Sequence, residues 1–338
     1  MAQIRSYRIY YISLIFLLAL FFIAEMVFGS LVIPLNQLCH ALLNPHDGDA
    51  ASKVLWMIRL PRACTALLAG IALSVSGVQM QTLFRNPLAD PYVLGISSGA
   101  GLGVALFVMG FSAGIFSAAT PWIMNLGTVS AAWMGSLAVC FLVMIAAKRL
   151  RNTMSLLILG IMIGSVGSAL ISMLQSFSSA PDLKLYVLWT LGSFANVTGT
   201  ELIIMAIVVV LGVMLSVYNI KDLNVLLLGE VYAKSLGIQM TSIRRRIFIA
   251  TALLAGSVTA FCGPIGFIGI AVPHLSRMIF KNANHKVLIP SSALLGATMM
   301  LFADFISQIS VPLPINTVVA LLGLPVIILI IIQNRHHE

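Results

Sequence analysis

Charge is what this chain has least of. Of its 338 residues only 10 are Asp or Glu and 19 are Lys or Arg, so 9% are charged while 60% are hydrophobic. Soluble domains average roughly 25% charged and 45–50% apolar residues, which excludes a water-solvated globular fold here. A phosphate-cradling loop is missing as well. No GxxxxGK[ST] run occurs and no lysine follows a glycine, so the chain has no P-loop of its own and any ATP energy must come from a partner. Cysteine is limited to Cys39, Cys64, Cys140 and Cys262, with no CxxC spacing. That excludes a disulfide framework or a cysteine zinc site. The six histidines, His40, His46, His274, His285, His336 and His337, form no HExxH or comparable ligand spacing, and the 17 methionines read as adaptable packing rather than metal or haem ligands. No catalytic residue, metal site or cofactor is expected.

What fills the chain instead is apolar length, with a mean hydropathy of +1.05. A membrane helix needs about 20 apolar residues. The runs suggest about ten spans, near 9–29, 63–84, 92–112, 120–147, 154–175, 200–218, 247–262, 264–280, 288–309 and 314–333. The expected fold class is all-α, a polytopic membrane protein embedded in the lipid bilayer as a single transmembrane domain over 1–338. The first run is long and lacks a small-residue cleavage site, so it reads as a retained helix rather than a signal peptide.

Basic residues orient the spans, because cytoplasmic loops carry the excess of Lys and Arg. With the N-terminus inside, the outer set is only Lys53, Arg59, Arg62 and Lys184; the other fifteen fall in inner loops or at the termini. Both termini are therefore expected in the cytoplasm. The net charge of +9 is explained by topology, and the scattered basic residues form no nucleic-acid recognition motif, so no nucleic-acid partner is implied.

Arg59 to Gly103 is the most informative stretch. Pro87 and Pro91 fix φ and remove backbone donors, so the chain must break between the second and third spans. Arg59 and Arg62 lie three apart, with Pro61 at an expected first helical position, which places both at the outer N-terminus of the second span. The helix dipole is positive there, so an anionic partner is required to offset the charge. A lipid phosphate or an internal salt bridge would serve. Glu25 and Asp304 fall towards outer helix ends, either bonded to neighbours or available for ion coupling. Residues 222–246 form the largest inner loop and show helical periodicity at Leu223, Leu226, Leu227, Tyr232 and Leu236, cut into two pieces by Gly229 and Gly237. Glycine and serine runs at ISSGAGLG and at Gly160 to Leu170 suit close helix packing in lipid. Paired interruptions at residues 85–101 and 263–274 hint at an inverted repeat.

RNPLADPYVLGISSGAGLG (Arg85 to Gly103) and GPIGFIGIAVPHLSR (Gly263 to Arg277) resemble two signatures of the permease subunits of ABC importers for iron-siderophores, haem and cobalamin. RLPR (Arg59 to Arg62), LNVLLLGEVYAKSLGI (Leu223 to Ile238), NANHKVLIPSSALLGA (Asn282 to Ala297) and the Ala303–Asp304 pair extend the resemblance over nearly the whole chain. It implies a ten-helix homodimeric permease in the cytoplasmic (inner) membrane. The partners implied are a second copy of itself, two cytoplasmic ATPase subunits and an extracytoplasmic substrate-binding protein, with hydrolysis confined to the ATPases.

The resemblance also assigns residues. Arg59 and Arg62 would dock carboxylates of the binding protein. Asn86 and Leu88, opposed by Thr153 and Met154, would form the cytoplasmic gate, with Met154 standing where a small polar residue is usual. Leu228, Gly229, Glu230, Ala233, Leu236 and Gly237, in a segment of about 219–246, would couple to the ATPase. Gln308 replaces a further outer arginine of the family, and Pro312 and Asn316 depart from its Glu-(Leu/Ile)-Pro-Ile-Gly pattern, leaving the outer surface weaker or differently charged. An iron chelate of siderophore type is the expected cargo, with haem and cobalamin as alternatives. Two other classes stay open: an ion-gradient-driven secondary transporter using Asp304 or Glu25, and a non-transporting membrane scaffold.

Overall fold

Apolar runs of this length leave backbone N–H and C=O groups no water to bond, and the helix satisfies them within the segment. The computed structural model describes residues 2–29, 49–110, 121–150, 153–309 and 313–334, with a few single positions between 34 and 43. Among them every regular element is helical. α1 spans Ala2–Val27, and α2 runs unbroken over Ala50–Phe84 with a π turn at Leu55–Arg59. Arg85 stops α2 in the left-handed conformation, φ 49°. A 3-10 turn at Pro91–Leu94 leads into α3, Ile96–Ala105. α4 (Pro121–Arg149) and α5 (Thr153–Phe177) follow, then the short α6 (Ala180–Thr190) and α7 (Gly199–Tyr218). Two peripheral helices come next, α8 (Ile220–Leu226) and α9 (Glu230–Ser235). α10 (Met240–Cys262), α11 (Ile268–Phe280), α12 (His285–Gln308) and α13 (Ile315–Asn334) complete the chain.

Among the described residues seven helices are long and apolar enough to cross a bilayer, and further apolar helices lie at 96–110 and 268–280 and start at 315, where the third, eighth and tenth spans were expected. Three expectations are corrected. α2 starts at Ala50 rather than near 63, so Arg59 and Arg62 lie well inside a helix and not at its N-terminus. α10 starts at Met240, so the loop expected to reach 246 ends at Gln239 and the arginine run 244–246 is helical. α6 was not anticipated, although Ser179 caps it and Pro181 sits in its first turn, a helix-start signal legible in SSAPD.

α2, α10 and α12 supply most of the buried interior, while α1, α5 and α7 keep apolar faces exposed. α2 packs against α7, α10, α11 and α12. Glycines set the closest approaches: a Cβ on Gly77 would fall on the Gly269 carbonyl of α11, and one on Gly70 on the Gly296 carbonyl of α12. Small residues let backbones meet where lipid supplies no hydrophobic drive for association. α2 and α12 run antiparallel, because Arg62 meets Asp304 towards one end and Thr82 meets His285 at the other, about 30 Å of helix apart.

Candidate gating and coupling site

The loop after α2 is built by turn chemistry. Asn86 N donates to Gln81 O at 3.2 Å, Asn86 Oδ1 accepts from Leu88 N at 2.9 Å, and Asp90 Oδ1 caps the 3-10 turn by accepting from Tyr92 N at 2.8 Å. Asn and Asp favour such turns because their side chains bond backbone two residues on. The Tyr92 hydroxyl then accepts from Thr259 Oγ1 at 3.2 Å and from Ile265 N at 3.4 Å. The two interrupted segments, 85–95 and 263–267, are thereby joined through one side chain. Leu88 is 39% exposed and Met154 60% exposed, leaving apolar surface at the expected gate positions.

α8 and α9 form the expected two-piece element, with Gly229 at φ 110° and Gly237 at φ 79°, conformations that glycine adopts without a Cβ clash. Leu228 (63%), Val231 (86%) and Leu236 (56%) present apolar surface outward. Ala233, expected on the contact face, is instead fully buried and packs inward. Gly229 is buried too, against the Arg85 guanidinium. Val231, absent from the sequence-based set, is the most exposed apolar residue of the pair.

Polar side chains tie this pair to the gate-bearing helices. Glu230 pairs with Arg244 Nη2 of α10 at 2.8 Å and accepts a short hydrogen bond from Thr153 Oγ1, the first residue of α5. Arg244 Nη2 also reaches Thr153 Oγ1 at 2.8 Å, and its Nη1 donates to Leu150 O at 3.2 Å. Partial burial alone would raise the Glu230 pKa, but the bonds from Thr153 and Arg244 outweigh it and hold the carboxyl below its ordinary value. On the other flank, Asn224 of α8 bonds His285 and Asn284 at 2.8–3.0 Å, and the His285 ring reaches Thr82 near the end of α2 at 2.8 Å. A second ion pair, Asp222 with Arg246 at 2.6 Å, joins α8 to α10.

At the opposite end, Arg62 grips Asp304 through two parallel bonds of 2.8 and 2.7 Å. Ser307 and Gln308 add donors at 3.0 and 3.1 Å. Asp304 is fully buried, while the Arg62 side chain keeps 23% exposure. Arg59 is 7% exposed and donates to Met26 O at 2.5 Å. Neither guanidinium stands at a helix start, and Arg62 has the internal salt bridge as its anionic partner. Gln308 thus has a role within the chain. So has Asn316, whose Oδ1 accepts from Gly266 N at 3.3 Å. Pro312 lies outside the described residues, as does Cys39.

Sequence reasoning treated Arg244 as one of many inner basic residues and overlooked Asn224, His285 and Tyr92. A signal for Arg244 existed: it lies on the same α10 stripe as Met240, Ile243, Ile247 and Phe248, all buried, and a cation at such a position demands a partner.

Comparisons with known proteins agree with this architecture. The profile of the FecCD transport family matches residues 17–333. The vitamin B12 import system permease protein BtuC of Klebsiella pneumoniae subsp. pneumoniae is 37% identical over 285 residues, covering 83% of each chain. Its counterpart in Escherichia coli O9:H4 is 34% identical over 284 residues, 83% of this chain and 84% of that protein. A solved inward-facing metal-chelate-type ABC transporter superposes with a TM-score of 0.83 at 29% identity, over 96% of this chain and 99% of that one. A structure of PsaBC from Streptococcus pneumoniae shares the fold at a TM-score of 0.50 and 16% identity. With apolar helices throughout and family identity over nearly its full length, the chain belongs to the FecCD transport family: it is a multi-pass permease subunit of an ABC importer of the metal-chelate and vitamin B12 type, not itself an ATPase.

Proposed function

We propose that two copies of this chain pair around a central pathway and, with two cytoplasmic ATPases and an extracytoplasmic binding protein, import an iron chelate of siderophore type by alternating access. Cobalamin, which the named relatives import, and haem are the alternative cargoes. Ten helices cross the cytoplasmic membrane in this reading, α13 and the short α3 and α11 included, with both termini and the α8–α9 pair inside. The chain is one transmembrane domain over 1–338, whose coupling segment contracts to about 219–239.

The observation that carries the reading is the α8–α9 pair, which holds Leu228, Val231 and Leu236 exposed beyond the end of α7. Exposed apolar groups clustered on a short rigid element mark a protein contact. These three side chains form the ATPase contact, Gly229 and Gly237 shape its turns, and Glu230 and Ala233 anchor it inward. Asn86 and Leu88 with Thr153 and Met154 form the gate, sealed when two copies bring their apolar side chains together. Arg62, whose side chain keeps 23% exposure, is the docking residue for a binding-protein carboxylate, whereas Arg59 is buried against the Met26 carbonyl. The ion-coupled alternative needs a carboxylate able to exchange ions: Asp304 is committed to Arg62, Ser307 and Gln308, and Glu25, the other carboxylate expected for that role, is 3% exposed.

Purification in mild detergent with the co-expressed ATPases and binding protein, followed by reconstitution into liposomes, tests the reading. ATP-dependent uptake of a radiolabelled ferric hydroxamate is expected, and Val231→Asp is expected to release the ATPases while the permease dimer survives. Uptake driven by a proton gradient without nucleotide would overturn it.

A further inference from the structure

We propose that Arg244 is a positioning residue that links the coupling pair α8–α9 to the gate, making α5 follow the movement of the docked ATPase. The link rests on the function proposed above, because the ATPase supplies the movement.

One guanidinium holds three segments that are remote in sequence. It bonds Glu230 at the start of α9, Thr153 at the start of α5, and the carbonyl of Leu150 just after α4. Arg244 therefore grips both sides of the α4–α5 connection and, with the same atom, the first residue of α9. Glu230 Oε1 closes the triangle by accepting from both Thr153 and Arg244. Burial is unequal across this cluster: the Arg244 side chain is 3% exposed and that of Glu230 25%. The cation is fixed within the helical body, and the anion rides on a six-residue surface helix bounded by Gly229 and Gly237.

A displaced α9 must either carry Thr153 along or strand a buried arginine without its carboxylate. Stranding a buried charge is costly, so the two elements move together. Thr153 heads the helix whose next residue is Met154, and motion at Glu230 is thus delivered directly to the gate. Rigid helices transmit such motion as units. Lysine cannot substitute, since a single ammonium lacks the planar fork that reaches Leu150, Thr153 and Glu230 at once.

The test uses the complete importer in liposomes with radiolabelled ferric hydroxamate, cyanocobalamin or haem, whichever the parent imports. In Arg244→Lys, ATP hydrolysis is expected to stay near the parent rate while cargo moved per ATP falls about tenfold, the size of an ordinary coupling between sites; Glu230→Ala is expected to lower cargo moved per ATP likewise. The double variant is expected to uncouple no further than the worse single one, as two residues in one link must. Spin labels at Leu88→Cys in the two copies should show a nucleotide-driven distance change in the parent that shrinks in Arg244→Lys. Cargo per ATP unchanged in both single variants, or hydrolysis and uptake falling in equal proportion with the label distances unaltered, overturns the link and leaves the proposed function standing. A parent complex that imports none of the three cargoes with ATP overturns both.

Discussion

The two ends of the molecule each carry an arginine–carboxylate pair, and they are built in opposite senses. At the Arg62 end the carboxylate is the buried partner: Asp304 is sealed between α2 and α12 and accepts from Arg62, Ser307 and Gln308. At the Arg244 end the guanidinium is buried and the carboxylate sits half-covered on a short surface helix. A bidentate pair whose carboxylate accepts further donors and which is held by two long helices resists separation. A pair anchored on one side only can transmit displacement. The same chemistry thus serves as a fastening at one end and as a linkage at the other, according to which partner is mobile.

The comparison breaks most visibly at the fastening. Arg62→Ala strands a fully buried carboxylate and should cost about 3–5 kcal/mol, read as lost thermal stability of the detergent-purified protein. Replacing both partners, Arg62→Met with Asp304→Leu, should recover most of that loss, because well-packed apolar residues substitute for buried ion pairs at little cost. No recovery would mean that Asp304 is needed for more than pairing.

A smaller effect is expected at the linkage. Glu230→Ala leaves Arg244 with Thr153 and Leu150 as acceptors, and should destabilise by about 1–3 kcal/mol while its main effect falls on cargo moved per ATP. Acid sharpens the contrast. The Glu230 carboxyl is held below its ordinary 4.5 by Thr153 and Arg244 against the opposing effect of burial. A depressed folded-state pKa gives stability that is present above the unfolded value and lost as pH falls through the folded one. Coupling through Glu230 should therefore persist down to about pH 4.5 and fail only below it, measured as cargo per ATP across a pH series. Failure between pH 5 and 6 would place the sensitive group elsewhere.

The smallest effect belongs to Asp222 and Arg246, whose side chains are each about one-quarter exposed. Asp222→Asn should cost about 0–1 kcal/mol, less at high salt. A larger loss would show that α8 depends on this pair as α9 does on Arg244.

The helical spans were legible because their apolar length exceeds what any soluble helix requires, and the Gly229 and Gly237 breaks were legible because both need positive φ. α2 was read short because Lys53, Arg59 and Arg62 lower the hydropathy of its first turns. A helix that buries Arg59 against a backbone carbonyl and Arg62 against Asp304 tolerates those charges, but the tolerance depends on partners 33 residues before and 242 residues after them. The same holds for Ala233: the family resemblance placed it on the contact face of the α9 element, and only the packing of that element decided which face points outward.

Composition, hydropathy and turn residues by themselves determined that this chain is a helical membrane protein and where most of its long apolar helices lie. Those properties depend on local backbone satisfaction and on transfer of side chains into lipid, which are read residue by residue. Tertiary structure alone decided which cations are buried, which carboxylates meet them, and that Arg244 joins α9 to α5. Those pairings unite groups 14 to 242 residues apart, and a charge's partner is set by the packing of the helices that carry both.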